Sequence, residues 1–174
     1  TRLEATADFL GDGEPAEGTR TPLLLAEGRK SITVTELSLH GGRSAPATGI
    51  VISGCIEAHL LQVSVTGFKH VGICMRDATG LSKVEGCILA GNQQAALLMH
   101  ELAEGQWGDF LPNTIANCSV VGGGNGIVTD RAIVLNILGN TLYQTKGPAF
   151  TLRRISNSVL LNGNRTFQIT GNCL

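Results

Sequence analysis

Gly49-Ile50-Val51-Ile52 recurs as Gly72-Ile73-Cys74-Met75, Ala96-Leu97-Leu98-Met99, Gly126-Ile127-Val128-Thr129 and Ala149-Phe150-Thr151-Leu152. Measured at the second residue of each copy, the steps are 23, 24, 30 and 23 residues. Three steps agree, and the long one contains an insertion. A second phase runs between these marks: Val63-Ser64-Val65, Cys87-Ile88-Leu89, Cys118-Ser119-Val120 and Asn140-Thr141-Leu142, with Asn164-Arg165-Thr166 as a weaker copy. The alternation of Ile32, Val34, Leu37 and Leu39 supplies an earlier coil. Each repeat thus holds three short alternating runs separated by Gly, Asn or Ser, and each run reads as a strand with one apolar face. A period in the low twenties with three strands per period predicts a solenoid, where each coil buries its inner face on the next. The expected fold is all-β: a right-handed parallel β-helix of about six coils, each roughly 22–24 residues long.

Two architectures with similar signals are disfavoured. Leucine-rich repeats share the period, but the LxxLxLxxN spacing is absent and β-branched residues fill the strands. A doubly wound α/β fold needs several helices, and only residues 92–105 offer a stretch long enough for one.

Composition agrees with many short strands. Of the 174 residues, 43% are hydrophobic but only 4% aromatic, and 23 are glycine. Ile, Val, Leu and Ala with frequent Gly turns suit strands better than long helices. The 13 basic and 14 acidic residues leave a formal charge of −1, with no basic run to hold nucleic acid. No apolar stretch approaches the roughly 20 residues of a membrane-spanning helix. The opening Thr1-Arg2-Leu3-Glu4 has neither an initiator Met nor a signal-peptide pattern. The expectation is one domain over 1–174, cut from a longer chain. Five cysteines without a CxxC pair fit neither a disulfide framework nor a zinc site. No motif asks for a cofactor, and Gly122-Gly123-Gly124 lacks the helix and Lys of a phosphate loop.

Segments such as Gly126-Ile127-Val128, Ile137-Leu138-Gly139-Asn140-Thr141-Leu142 and Asn162-Gly163-Asn164 resemble the β-helix repeats of the pectate lyase superfamily. The opening Pro22-Leu23-Leu24-Leu25, followed by Ile32-Thr33-Val34-Thr35, is similar to an early coil of such proteins. The resemblance covers nearly the whole chain and implies fold first. It also implies a partner, polysaccharide, and an extracellular or cell-surface address. The polygalacturonase series of Asn-x-Asp, Asp-Asp, Gly-His-Gly and Arg-x-Lys is absent, as are an Asp-Pro-His-Asp stretch and a cluster of calcium-binding aspartates. No family catalytic residue is therefore carried over, and a fold alone does not assign a reaction.

Candidate chemistry comes from registering the coils. Equivalent positions in successive parallel strands lie about 4.8 Å apart. The residues leaving the first strand of each coil are Arg76-Asp77, His100-Glu101, Asp130-Arg131 and Arg153-Arg154, with Ser53-Gly54 earlier. They predict two charged columns, Arg76/His100/Asp130/Arg153 and Asp77/Glu101/Arg131/Arg154, along one edge. Carboxylates one or two coils apart stand roughly 5–10 Å from each other, which brackets the separations of glycoside hydrolysis. A lyase or epimerase needs instead a base for the proton α to a uronate carboxyl, with cations beside it. His100 or Asp130 fits the base; Arg131, Arg153 and Arg154 fit the cations. Asp130, His100, Glu101, Asp77 and Arg131 are the catalytic candidates, and Arg76, Arg153 and Arg154 the substrate contacts. The competing reading is a ladder of surface ion pairs, each contributing about 0–1 kcal/mol.

The insertion, residues 101–112, leaves this same edge directly after His100. It holds the only Trp, Trp107, and Phe110. Either ring offers an apolar face to a sugar, or packs the loop onto the coils. Cys87 and Cys118 share a column with Asn140 and Asn164, whose amides satisfy backbone groups at such turns. Buried free thiols are expected there, with a disulfide within the Cα range of roughly 4.4–6.8 Å. Cys55, Cys74 and Cys173 show no partner. His40, His59 and His70 lie in separate turns and read as surface residues rather than metal ligands. A carbohydrate-active domain with lyase, hydrolase or epimerase chemistry is the leading expectation. A non-catalytic glycan-binding or structural repeat is the alternative.

Overall fold

A computed structural model of the chain describes residues 2–4, 22–42, 48–55, 57–78, 81–101, 112–130, 134–154 and 158–167. After β1 (Arg2–Glu4), six coils follow, each of three strands. The first is β2 (Pro22–Glu27), β3 (Ser31–Thr35) and β4 (Ser38–His40). The second is β5 (Thr48–Ser53), β6 (Glu57–Leu61) and β7 (Ser64–Thr66). Then come β8 (Val71–Ala78), β9 (Lys83–Glu85) and β10 (Ile88–Ala90). The fourth coil is β11 (Ala95–Glu101), β12 (Asn113–Ala116) and β13 (Ser119–Val121). The fifth holds β14 (Asn125–Asp130), β15 (Val134–Leu138) and β16 (Thr141–Tyr143). The sixth holds β17 (Phe150–Arg153), β18 (Ser158–Asn162) and β19 (Arg165–Phe167). No helix occurs among the described residues.

Every third strand joins the same sheet. Sheet I is β2-β5-β8-β11-β14-β17, sheet II is β3-β6-β9-β12-β15-β18, and sheet III runs from β1 and β4 to β19. All pairings are parallel, and the repeat marks fall into register: Ile50 on Ile73, Ile73 on Leu97, Leu97 on Ile127, Ile127 on Phe150. The parallel β-solenoid expected from the period is the fold of the molecule.

Each sheet sends apolar columns inward. Sheet II contributes Val34, Leu60, Val84, Ile115, Ile137 and Leu161; sheet III contributes Leu39, Val65, Leu89, Val120 and Leu142. The middle members are fully buried in one continuous core. Burying such a side chain stabilises by about 1.5–3 kcal/mol, so stacking is driven chiefly by these columns. The 30-residue step does not disturb them. β11 ends at Glu101 and β12 begins at Asn113, yet as far as His100 β11 stays in register with both β8 and β14.

The corner between sheets II and III is a single left-handed residue in every coil: Glu36, Gln62, Gly86, Asn117, Gly139 and Gly163, with φ between 52° and 64°. Only half of them are Gly, so the corner is imposed on residues that normally avoid this region. The coil-to-coil hydrogen bonds run through it, from Gln62 N to Glu85 O (2.9 Å), Gly86 N to Ala116 O (3.0 Å) and Asn117 N to Leu138 O (2.9 Å).

Where backbone pairing lapses, buried Asn amides replace it. Asn140 Oδ1 accepts from Cys118 N (2.9 Å) while its Nδ2 donates to Ile115 O (3.0 Å). Asn164 repeats this one coil later, with Asn140 N and Ile137 O. Asn92 does so for Phe68 N and Val65 O, and Asn113 accepts from Ser82 N. The stacked Asn column was legible in sequence; Asn92 and Asn113, which repeat in no column, were not.

Thr129 interrupts the inward column Ile52, Met75, Met99, Thr129, Leu152. Its Oγ1 is fully buried without a hydrogen-bond partner. An orphaned buried hydroxyl costs about 1–3 kcal/mol. Thr129→Val, which exchanges that hydroxyl for a methyl of the same shape, is expected to raise stability by about 1 kcal/mol. A higher midpoint in urea denaturation checks this, and an unchanged or lower one refutes it.

Candidate functional site

Sheet I differs from the other two in being apolar on both faces. Its strands carry unbroken apolar runs, such as Ile50-Val51-Ile52 and Ile73-Cys74-Met75, as strands covered on both sides do. The outward members, Leu25, Val51, Cys74, Leu98 and Val128, stack in register as a stripe outside the core. Val51 (2% exposed), Cys74 (1%) and Val128 form a second apolar cluster with Val71, Ala95 and Leu98. Leu25, at 57% exposed, opens the stripe to solvent at its first coil. There, Pro22, Leu25, Glu27, Val51, Ser53 and Arg76 line a shallow groove of about 230 Å³. Burial raises the Cys74 thiol above its ordinary value, against the opposing pull of the Arg76 guanidinium.

Two residues past the stripe on each strand, polar side chains form the first expected column. Glu27 pairs with Ser53, Ser53 with Arg76, Arg76 with His100, His100 with Asp130, and Asp130 with Arg153. The order Arg76, His100, Asp130, Arg153 is the one the repeat predicts, with Ser53 and Glu27 extending it. Glu27 was missed because Pro22-Leu23-Leu24-Leu25 was read only as an opening coil.

The second expected column does not form as a ladder. The register shifts between His100 and Glu101, so Glu101 pairs with Ala78 rather than Asp77. Arg154 leaves the strand altogether. It adopts φ 48°, at the corner where the first two coils place Gly28 and Gly54. A non-glycine residue held there stores of order 1–3 kcal/mol of strain. The bend carries its guanidinium back over the neighbouring coil and onto Asp130. Arg154 Nε donates to Asp130 Oδ1 at 2.7 Å and Nη2 donates to Oδ2, a two-pronged pair of the kind guanidinium geometry favours. His100 Nδ1 lies 3.7 Å from Asp130 Oδ2. The Asp130 side chain is 11% exposed and that of His100 39%.

The structure thus brings Arg76, His100, Asp130, Arg153 and Arg154 to one edge of one face. Arg131, Trp107 and Phe110 lie outside the described residues, and for Asp77 and Glu101 only the backbone is described. Chemically, Asp130 is a carboxylate fixed by two guanidinium hydrogens and held against an imidazole. Such a carboxylate orients and polarises a histidine, whereas a proton shuttle needs an oxygen facing solvent. His100 is the more exposed titratable group of the pair.

The remaining sequence candidates are peripheral. His40 Nδ1 contacts Thr66 Oγ1 (2.9 Å), His70 Nδ1 contacts Gln94 Oε1 (3.1 Å), and His59 Nε2 approaches Glu57 at 3.5 Å. Among the described residues, no group of three or more His, Cys, Asp or Glu is placed to hold a metal ion. Compared with known proteins, the chain matches no family model, no curated protein and no solved structure.

Proposed function

We propose that this chain is a carbohydrate-active β-helix of the pectate lyase-like kind, taking an acidic polysaccharide along the polar edge of sheet I. The observation that carries the reading is His100, set in register between Arg76 and Asp130, with Arg154 clamped on that Asp130. A polymer lying along the solenoid axis meets one new strand about every 4.8 Å, so successive sugars meet successive members of the column. Arg76 and Arg153 face the carboxylates of a uronan. His100, oriented by Asp130, takes the proton α to the carboxyl; the C–H electrons form the new C=C as the glycosidic C–O bond breaks. The leaving oxygen takes a proton from water, the His100 imidazolium returns its own to solvent, and the guanidinium groups stabilise the charge that builds on the carboxylate.

A panel of polyuronates, scored for unsaturated ends by ultraviolet absorbance, tests this. Wild type is expected to generate them, and His100→Ala to lose turnover by roughly 10²–10⁴-fold, the usual contribution of a general base. Equal turnover by His100→Ala, or no unsaturated product from any polyuronate, removes the proposal.

One observation favours a second reading, non-catalytic glycan binding: both Asp130 oxygens are already engaged by Arg154. That reading expects retention on polyuronate gels without product, weakened by Trp107→Ala.

A further inference from the structure

The inner corner between sheets II and III carries a chemical feature unrelated to the edge described above. Immediately after each left-handed residue, one side chain per coil turns inward: Leu37, Val63, Cys87, Cys118, Asn140 and Asn164. Their backbones form an unbroken ladder, through Ser64 N to Leu37 O, Ile88 N to Val63 O, Ser119 N to Cys87 O and Thr141 N to Cys118 O, all 2.8–2.9 Å. Cys87 therefore stacks directly on Cys118. Their Cα atoms are one strand spacing apart, about 4.8 Å, inside the roughly 4.4–6.8 Å that a disulfide spans. Both thiols are buried and in the free form. Cys87 Sγ donates to Leu60 O (3.4 Å) and Cys118 Sγ to Ala116 O (3.3 Å), and the two sulfurs lie within hydrogen-bonding reach of each other.

We propose that Cys87 and Cys118 are a cross-linking site, closed by a small-molecule disulfide such as oxidised glutathione as the fourth coil docks on the third. The other described cysteines are not stacked this way. Cys74 pairs with Val51 and Leu98, and Cys55 Sγ sits against the Ser53 and Ala26 carbonyls. The chemistry balances as two thiol–disulfide exchanges. The thiolate of one cysteine attacks one sulfur of the oxidant, giving a mixed disulfide and releasing one thiol. The other cysteine then attacks the protein sulfur of that mixed disulfide, its proton passing to the second departing thiolate. One S–S bond forms, the oxidant's S–S bond is reduced, and the chain is two hydrogens lighter. Before the coils stack neither thiol is buried by the other, so either can attack first and the other resolves.

Burial of both side chains sets when the link forms. Once the coils are stacked, solution oxidants no longer reach it, so it closes during docking and is sealed afterwards. The ring encloses residues 88–117, including β10, β11 with His100, the inserted loop and β12. It shuts a coil lengthened by the insertion, where loop-closure entropy is larger than in the coils on either side.

The full chain, unfolded under reducing conditions, is refolded in an oxidised/reduced glutathione buffer and quenched with an alkylating reagent. Trypsin leaves both cysteines in one piece, 84–131, so cleavage after Glu is added, separating 86–101 from 105–131. The expected result is those two pieces joined until reduced, in a chain two hydrogens lighter with three alkylated cysteines. Five alkylated cysteines overturn the proposal, and so do bonds to Cys55, Cys74 or Cys173 in comparable yield. A thermal midpoint higher after oxidative than after reductive refolding for wild type, with no such difference for Cys118→Ala, is the second expected result. Equal midpoints for the two preparations of wild type overturn the cross-link.

Discussion

Asn140→Leu is expected to lower the free energy of unfolding by about 3–5 kcal/mol, the largest loss for any single side chain outside the apolar columns. The amide sits fully buried at the corner and serves two coils at once. Its Oδ1 is the acceptor for Cys118 N, and its Nδ2 is the donor for Ile115 O. Leucine keeps the branched skeleton with bulkier methyls and leaves both backbone groups buried without a partner, each costing about 1–3 kcal/mol. The neighbouring Asn164 Oδ1, which accepts from Asn140 Nδ2 at 2.9 Å, loses a donor as well. Asn136→Leu is the control, since Asn136 lies half-buried on the outer face of β15; a change within about 0.5 kcal/mol is expected. Urea denaturation of the three proteins decides it, and equal losses at the two positions contradict the amide-ladder account.

Gly126→Val is expected to destabilise by about 3 kcal/mol or more and to detach the sixth coil from the fifth. A Cβ at this position stands 2.2 Å from Ala149 O and 2.5 Å from Leu142 Cδ2. The leucine can rotate away, but the carbonyl cannot, because Ile127 N is bonded to that same oxygen at 2.9 Å. Relief requires β17 to lift from β14, which also pulls Arg153 and Arg154 away from Asp130. The variant should therefore lose both stability and any retention on polyuronate gels. Gly122→Ala provides the comparison. Its added Cβ meets nothing within 4 Å, and only the left-handed backbone at φ 61° opposes it, a cost of about 1–2 kcal/mol. A Gly126→Val protein as stable as Gly122→Ala would mean that coil spacing is softer than this packing implies.

The solenoid was legible because its strands obey one period and its inward residues one chemical type. Ile50, Ile73, Leu97 and Ile127 mark successive coils in sequence and stack in register in space. The first polar column was legible for the same reason. Arg154 was not, because its role depends on a backbone turn: read as a continuing strand it faces a second column, whereas at φ 48° it folds onto Asp130. The shift that pairs Glu101 with Ala78 is likewise a backbone irregularity with no residue signature. The outer stripe of sheet I was missed although a signal existed. Three apolar residues in a row, as in Ile73-Cys74-Met75, mark a strand covered on both faces rather than an alternating one.

The one-residue corner makes every coil close on its neighbours alone, and this has a kinetic consequence. Among the described residues, hydrogen bonds between coils join residues about one period apart, as Gln62 with Glu85 or Asn117 with Leu138, and none joins the two ends. Such a molecule behaves as a one-dimensional stack, with stability the sum of coil terms and nearest-neighbour terms. It frays from its ends inward and grows from any formed pair of coils, like a zipper with many starting points. Amide exchange should grade along the axis, slowest near β8 and β11 and fastest in β2 and β19. Lengthening one coil at a loop then perturbs only the two interfaces beside it, which is why a dozen inserted residues leave His100 opposite both Arg76 and Asp130.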